Sequence, residues 1–244
     1  MNVVICSIFR DAEWHLERYF QQTQALARLL EARGDSFRYN LAEGDSNDLT
    51  FDNLHSRLDF SKDRLIKRDH GGPRYESVDN ICRFLQFSYV YTGVWQNLLA
   101  SDDVVIYCEG DLVWEPEVMM GLINWPGRSW TRGTQDVEQN IFPRPVDAIA
   151  PMTWFESKEK RFYDTWAYRR NGVHFSPSLK PHPDIRPGEL LELDSAGSVI
   201  VMTGEAARAA KFEPAELCVV GMTMSLRKAG YRLWLDPEAD VVHL

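Results

Sequence analysis

The sequence predicts an α/β fold: a Rossmann-like, mostly parallel central sheet flanked by helices, forming a single domain over residues 1–244. Three observations lead there. A Val- and Ile-dense run from Asn2 to Phe9 is followed by an amphipathic stretch from Trp14 to Glu31 and a second strand from Ser36 to Ala42, the strand–helix–strand alternation of a parallel sheet. Val104, Val105, Ile106 and Tyr107 form an apolar run without alternation, as a strand buried on both faces requires. A chain of 244 residues that is 44% hydrophobic and 12% aromatic can build a sizeable core.

Taken in order, the first helix places Leu16, Tyr19, Phe20, Thr23, Leu26, Ala27 and Leu30 at helical spacing, and Gly34 stops it. The second strand ends on the acidic loop EGDSNDLT, which carries Glu43, Asp45, Asp48 and Thr50 and leads to a helix near Phe51. No glycine-rich dinucleotide fingerprint and no phosphate loop with a Lys follows either strand. From Arg57 to Tyr75 the period is lost; HGGPRY is a turn signal, and a short strand fits Leu65 to Arg68. Ile81, Phe84, Leu85, Tyr89, Val94 and Leu98 lie near one stripe of a helix predicted from Ser77 to Leu99, directly before the buried strand.

A helix from Pro116 carries Val118, Met119, Leu122 and Ile123 and ends before Trp125-Pro126-Gly127. Val146 to Pro151 reads as a short strand. An aromatic block follows, with Trp154, Phe155, Phe162, Tyr163, Trp166 and Tyr168 around basic residues, and its rings either fill the core or stack a sugar or base. The Pro-rich HFSPSLKPHPDIRPGE reads as an exposed loop or lid. Leu190 to Leu193 and Ser198 to Met202 flank Asp194-Ser195-Ala196-Gly197, either as a hairpin or as a loop feeding a strand. A helix from Thr203 to Ala210 precedes another that starts at Glu216 and is closed by Gly230. Tyr231 to Leu235 is a strand, Asp236-Pro237 a turn, and Val241-Val242 leads to His243. The halves divide near residue 115, and the strand–helix–strand order over 1–115 suits a nucleotide-binding half, with 116–244 as the second half.

Cys6, Cys82, Cys108 and Cys218 have no paired spacing, which argues against a zinc site or disulfide framework and for buried thiols. The net charge of −9 opposes broad nonspecific nucleic-acid binding. Arg57, Lys62, Arg64, Lys67, Arg68 and Arg74 make one basic stretch, interrupted by Asp59, Asp63 and Asp69, that reads as a solvated charged face. No basic leader and no long apolar span is present, so a cytoplasmic location without an integral membrane segment is expected.

The buried run Val104 to Tyr107 stops on Glu109-Gly110-Asp111. Two carboxylates at the carboxyl end of a parallel strand suit a hard divalent cation that also takes a substrate phosphate. They would converge if Gly110 turns the chain. A solvated acidic turn before the helix at Pro116 satisfies the same spacing.

Four segments, EGDSNDLTFDNL, VWQNLLASDDVVIYCEGDLVWEP, RFYDTWAYRRNG and ELCVVGMTMSLRKAGYRLWLDPEADVVHL, together resemble in order the glycosyltransferases of the GT-A type, nearest to the Anp1/Van1 branch of mannan polymerase subunits. The resemblance implies a metal-dependent glycosyltransferase that moves a sugar from a nucleoside-diphosphate sugar to an acceptor hydroxyl. Glu109-Gly110-Asp111 matches the family's Asp-x-Asp motif, with Asp111 as main ligand of Mn2+ (or Mg2+), Glu109 on the ion or the ribose, and His243 completing the metal set. Glu43 falls near the base and ribose, and Asn97 among the donor contacts. Glu216 matches the acidic residue that activates or orients the acceptor. The chain departs from the pattern at Gln96, where many relatives carry Arg, and at Glu109, where most carry Asp.

The chemistry suits these residue types: a divalent ion neutralises a departing diphosphate, and a positioned carboxylate receives an acceptor proton. Asp194 is the second candidate for that carboxylate, and Asp164 or Trp166 can also serve the acceptor. Two other readings stand beside this one, a metal-dependent nucleotidylyltransferase and a catalytically inactive nucleotide- or sugar-binding protein. A glycan, a protein, a small molecule or a modified DNA base all remain acceptors; for DNA, the Arg57 to Arg74 segment and Arg169-Arg170 are the phosphate contacts to expect.

Overall fold

The computed structural model describes residues 1–75, 80–130, 144–157, 160–214 and 218–244. Its first half runs β1 (Asn2–Phe9), α1 (Glu13–Ala32), β2 (Ser36–Glu43), α2 (Thr50–Arg57), β3 (Arg64–Lys67), α3 (Ile81–Trp95), β4 (Val104–Cys108), β5 (Leu112–Val113) and α4 (Pro116–Ile123). The chain continues through β6 (Ser129–Trp130), β7 (Arg144–Pro145), β8 (Ala148–Phe155), β9 (Arg169–Arg170), β10 (Val173–His174), β11 (Leu191–Leu193) and β12 (Val199–Thr203). It closes with α5 (Gly204–Ala209), α6 (Cys218–Lys228) and β13 (Leu233–His243).

One nine-stranded sheet organises these elements, in the order β11-β13-β8-β12-β4-β1-β2-β3, with β5 paired to β13. β3, β2, β1 and β4 form a parallel block. β12 runs antiparallel beside β4 and links it to β8, which pairs in parallel with β13. The fold is thus an α/β sheet, parallel in its first half and mixed in its second, flanked by helices.

Period-two alternation divides each central strand between two cores. Val3, Ile5 and Phe9 of β1 pack with Leu16, Tyr19 and Phe20 of α1, Leu54 of α2 and Met119 and Leu122 of α4. Val4 and Cys6 face the other way, toward Val90, Tyr91 and Val94 of α3, Ala206 and Ala207 of α5 and Val220 of α6. β4 is buried at every position, as its unbroken apolar run requires. Each large side chain so enclosed contributes about 1.5–3 kcal/mol relative to exposure.

Several boundaries differ from expectation for identifiable reasons. α3 starts at Ile81, where the Asn80 side chain caps the Cys82 N–H at 2.8 Å, and it ends at Trp95. It does not reach Leu99, because Asp102 takes the Leu99 N–H at 2.6 Å and folds the intervening residues into a turn. Leu190 to Met202 is not a hairpin: β11 pairs with β13, while β12 pairs with β4 and β8. Nor does Asp236-Pro237 end the last strand; β13 runs on to His243, and a register shift between Asp236 and Asp240 absorbs the interruption. Cys6 and Cys108 are buried thiols, whereas Cys82 is exposed.

A buried ion pair fixes the amino edge of the parallel block. Asp102 accepts from Arg38 Nε at 3.0 Å and Nη2 at 2.5 Å and is 2% exposed. Removing one partner strands the other charge, so Asp102→Ala is expected to cost on the order of 3–5 kcal/mol in urea unfolding. A loss under 1 kcal/mol would show that the guanidinium is solvated instead.

Candidate functional site

In an open α/β sheet, ligands gather at the carboxyl ends of the strands where the connections diverge. Here that point lies between β1 and β4: the chain leaves β1 toward β2 and β3 on one side and returns through α3 to β4 on the other. Arg10 and Asp11 follow β1, and Glu109-Gly110-Asp111 follows β4. Gly110 is not in the left-handed region, so its value is closeness rather than turning. A Cβ there would lie 2.5 Å from Phe9 Cε1 and 3.4 Å from His15 Nε2.

The far end of the chain meets this turn. β13 pairs antiparallel with β5, setting His243 opposite Leu112, and Gln22 of α1 donates to the Leu112 carbonyl at 2.9 Å. His243 Nε2 consequently sits 3.2 Å from Asp111 Oδ2. The Tyr163 ring stacks on the imidazole, with centroids 3.7 Å apart. Glu109, Asp111 and His243 each offer a ligand atom, all within 4.8 Å of one another. Two carboxylates and an imidazole on one side of an open cavity fit a divalent cation such as Mn2+ that keeps positions for other ligands.

Burial, the Asp111 charge and the Asp164 charge push Glu109 up to about 8, against the opposing pull of His243 and the Tyr107 hydroxyl at 3.3 Å. Burial also disfavours the Asp111 carboxylate, but the hydrogen bond and charge of His243 outweigh it and hold Asp111 below its ordinary value. His243 is raised: burial opposes its charge, and Asp111, Glu109 and Asp164 more than compensate. Asp164 is raised by burial, with Ser198, the Ala167 N–H and His243 pulling the other way.

Two cavities share Arg83, Phe87, Tyr91, Glu109 and Tyr163. The larger, about 520 Å³, is lined by Arg10, Asp11, His15, Arg74, Asp111 and His243 among others. The smaller, about 300 Å³, is lined by Phe155, Asp164, Thr165, Trp166 and Gly197 among others. The segment from His70 to Tyr75 edges the larger cavity and is tied down from His70 to Pro73. Asp45, itself left-handed at φ 58°, accepts from the His70 and Gly71 N–H groups. Arg10 donates to the Gly72 and Pro73 carbonyls at 3.1 and 3.3 Å.

The remaining expected residues lie elsewhere. Glu43 is buried beside the cavity without lining it; Oε1 accepts from the Ser46 N–H at 2.8 Å, and Oε2 has no hydrogen-bond partner among the described residues. The acidic loop acts mainly as a tie to α1: Asp48 accepts from the Glu13 N–H at 3.1 Å and Thr50 from the Ala12 N–H at 2.7 Å. Asn97 sits with Arg38 and Asp102 near the amino end of β4, donating to the Gly93 carbonyl at 2.9 Å, and does not join the cluster. Asp194 is held by Arg227 and by the Gly172 N–H at 2.7 Å, and it lines neither cavity. Glu216 lies outside the described residues.

His15 was not foreshadowed by any spacing in the sequence. It lines the larger cavity from the first turn of α1, its Nδ1 is buried without a partner among the described residues, and burial lowers its pKa against the pull of Asp111. Within the basic stretch, Arg57, Lys67 and Arg74 face Glu17, Asp69 and Asp11. Arg170 likewise pairs with Asp184 at 2.7 Å. Among the described residues no helix is long and apolar enough to cross a membrane.

No protein-family model and no curated sequence matches the chain. Solved structures do. Residues 1–349 of S. aureus TarS superpose with a TM-score of 0.56 at 10% identity, covering 100% of this chain and 60% of that one. The same TarS fragment in complex with UDP-GlcNAc gives 0.55 at 9% identity over 99% of this chain and 58% of that one. Its UDP complex gives 0.53 at 9% over 99% and 60%. The chain therefore shares its fold with about three fifths of the TarS fragment.

Glu109 yields a pH test. Its folded-state pKa of about 8 exceeds its ordinary 4.5, so the folded protein keeps a proton that the unfolded chain releases, and stability falls as pH rises through that window. In metal-free protein, Glu109→Gln should melt above wild type at about pH 9, with the gap closing toward about pH 4.5. An equal gap at both pH values would contradict the assigned burial effect.

Proposed function

We propose that the chain is a metal-dependent glycosyltransferase of the GT-A type, moving a sugar from a nucleoside-diphosphate sugar to an acceptor hydroxyl. The observation that carries this reading is the convergence of Glu109, Asp111 and His243 on the larger cavity, with Glu109 shared by the smaller. The UDP and UDP-GlcNAc complexes of TarS, which shares the fold, support a nucleotide-sugar donor. The narrower kinship with mannan polymerase subunits rests on the order of the four sequence segments, and a cytoplasmic site of action on the sequence alone.

Asp111 and His243, with Glu109, hold the Mn2+ (or Mg2+) ion in this proposal. When bound, the ion neutralises charge that develops on the departing diphosphate. Tyr163 fixes the His243 ring by stacking, and β5, clamped by Gln22, fixes the backbone that carries Asp111. Arg10 and Arg74 line the larger cavity, where a diphosphate belongs, and both lie beside Asp11, with which a diphosphate competes for them. Glu216 keeps its proposed acceptor role from the motif order. Asp194 is a weaker proposal, because Arg227 occupies its carboxylate.

Thermal-shift titration with UDP-, GDP- and CDP-sugars, with and without Mn2+, tests the proposal. One donor should stabilise the protein only when Mn2+ is present, by roughly 2.7 kcal/mol at a hundredfold excess over Kd. Asp111→Asn and His243→Ala should each weaken Mn2+ binding by on the order of tenfold or more. Metal-independent or absent shifts with all donors would refute the reading.

A further inference from the structure

Resting on the glycosyltransferase reading, we infer that the smaller cavity is the acceptor subsite, that it takes an uncharged sugar ring seated against Trp166 and Phe155, and that Asp164 holds the reacting hydroxyl. The cavity shares Arg83, Phe87, Tyr91, Glu109 and Tyr163 with the larger one, so its occupant abuts the metal cluster at Glu109, while Arg10 and Arg74 line only the larger.

Asp164 is built to receive a hydroxyl. Oδ2 accepts from Ser198 Oγ at 2.9 Å and Oδ1 from the Ala167 N–H at 3.3 Å, which leaves part of the carboxylate's acceptor capacity for a ligand. Ser198 adopts a left-handed φ of 58°, and its carbonyl takes the Glu109 N–H at 3.0 Å, so one strained residue positions both acids. Gly197 lies against the carboxylate, and a Cβ there would collide with Oδ2.

The lining chemistry selects a neutral ring. Trp166 and Phe155, which line this cavity, are 47% and 42% exposed and leave aromatic surface open to a ligand. Phe155 is braced edge-on by Tyr163 at 4.9 Å. Flat rings beside a carboxylate match the apolar face and hydroxyl rim of a pyranose. Arg83 lines the cavity against the carboxyl groups of Glu109 and Asp164, so its charges offset one another and give an anionic acceptor no net attraction, and Arg170, a phosphate contact that DNA would need, is engaged by Asp184.

Saturation-transfer NMR on the full chain with Mn2+ and UDP, GDP or CDP tests this, using methyl α-mannoside, methyl α-glucoside and a single-stranded DNA oligonucleotide as acceptor probes. A methyl pyranoside should receive saturation in the wild type. Its signal should fall about 2–12-fold in Trp166→Ala, whose side chain is exposed, and about 10–150-fold in Asp164→Asn, while the nucleotide signal is unchanged. Loss of the nucleotide signal in the wild type would instead sink the donor reading, and this inference with it. With nucleotide bound, three outcomes would overturn the acceptor assignment alone: no pyranoside contact, contact that survives both substitutions, or contact only by DNA. Displacement of the pyranoside by the UDP-sugar but not by UDP would also overturn it, giving the cavity to the donor's own sugar.

Discussion

The site depends on one pairing: the last residues of β13 against the two-residue strand β5. It sets Val242 opposite Val113 and His243 opposite Leu112, and so carries a side chain from the end of the sequence to the turn after the central strand. The pairing is held from three sides. α1 reaches it through Gln22, β8 runs parallel to β13 up to Phe155, and the Glu156 N–H donates to the His243 carbonyl at 2.9 Å. Nothing in the core requires a histidine there. Its ring instead answers the electrostatic need of Asp111.

That need is general to the site. Glu109, Asp111 and Asp164 crowd the junction of two cavities, and burial disfavours each as a carboxylate. One imidazole offsets only part of the burial cost and the repulsion, which leaves Glu109 with an elevated pKa in the metal-free protein. An arrangement that is unfavourable without a cation and favourable with one is a reasonable basis for metal affinity, and for binding that strengthens as Glu109 loses its proton. The left-handed Ser198 belongs to the same economy of strain, since its hydroxyl holds Asp164 and its carbonyl holds the backbone of Glu109.

Much of this was legible in the residues. β1 and β4 follow from dense apolar runs and α1 from its period, because burial on two faces or on one stripe leaves direct marks. Asp236-Pro237 misleads because a turn signal is local, while the register shift that carries β13 past it is set by pairing with β8. The acidic loop after β2 looks chemical in composition, yet Asp48 and Thr50 are largely consumed by backbone N–H groups of α1. Asn97 is close in sequence to β4 but at its opposite end. His243 gained meaning only through resemblance, since spacing cannot relate residues at 111 and 243, and His15 gave no signal because a lone histidine in a first helical turn is ordinary.

The central claim is that Asp111, Glu109 and His243 form a divalent-cation site facing a nucleoside diphosphate. Crystals grown with Mn2+ and UDP or GDP, measured for anomalous scattering, address it most directly. The expected result is a manganese peak between Asp111 and His243, roughly 2.0–2.6 Å from their ligand atoms, with diphosphate oxygens in the remaining positions. A nucleotide bound in the larger cavity with no manganese peak there, or with the ion held by other residues, would contradict it.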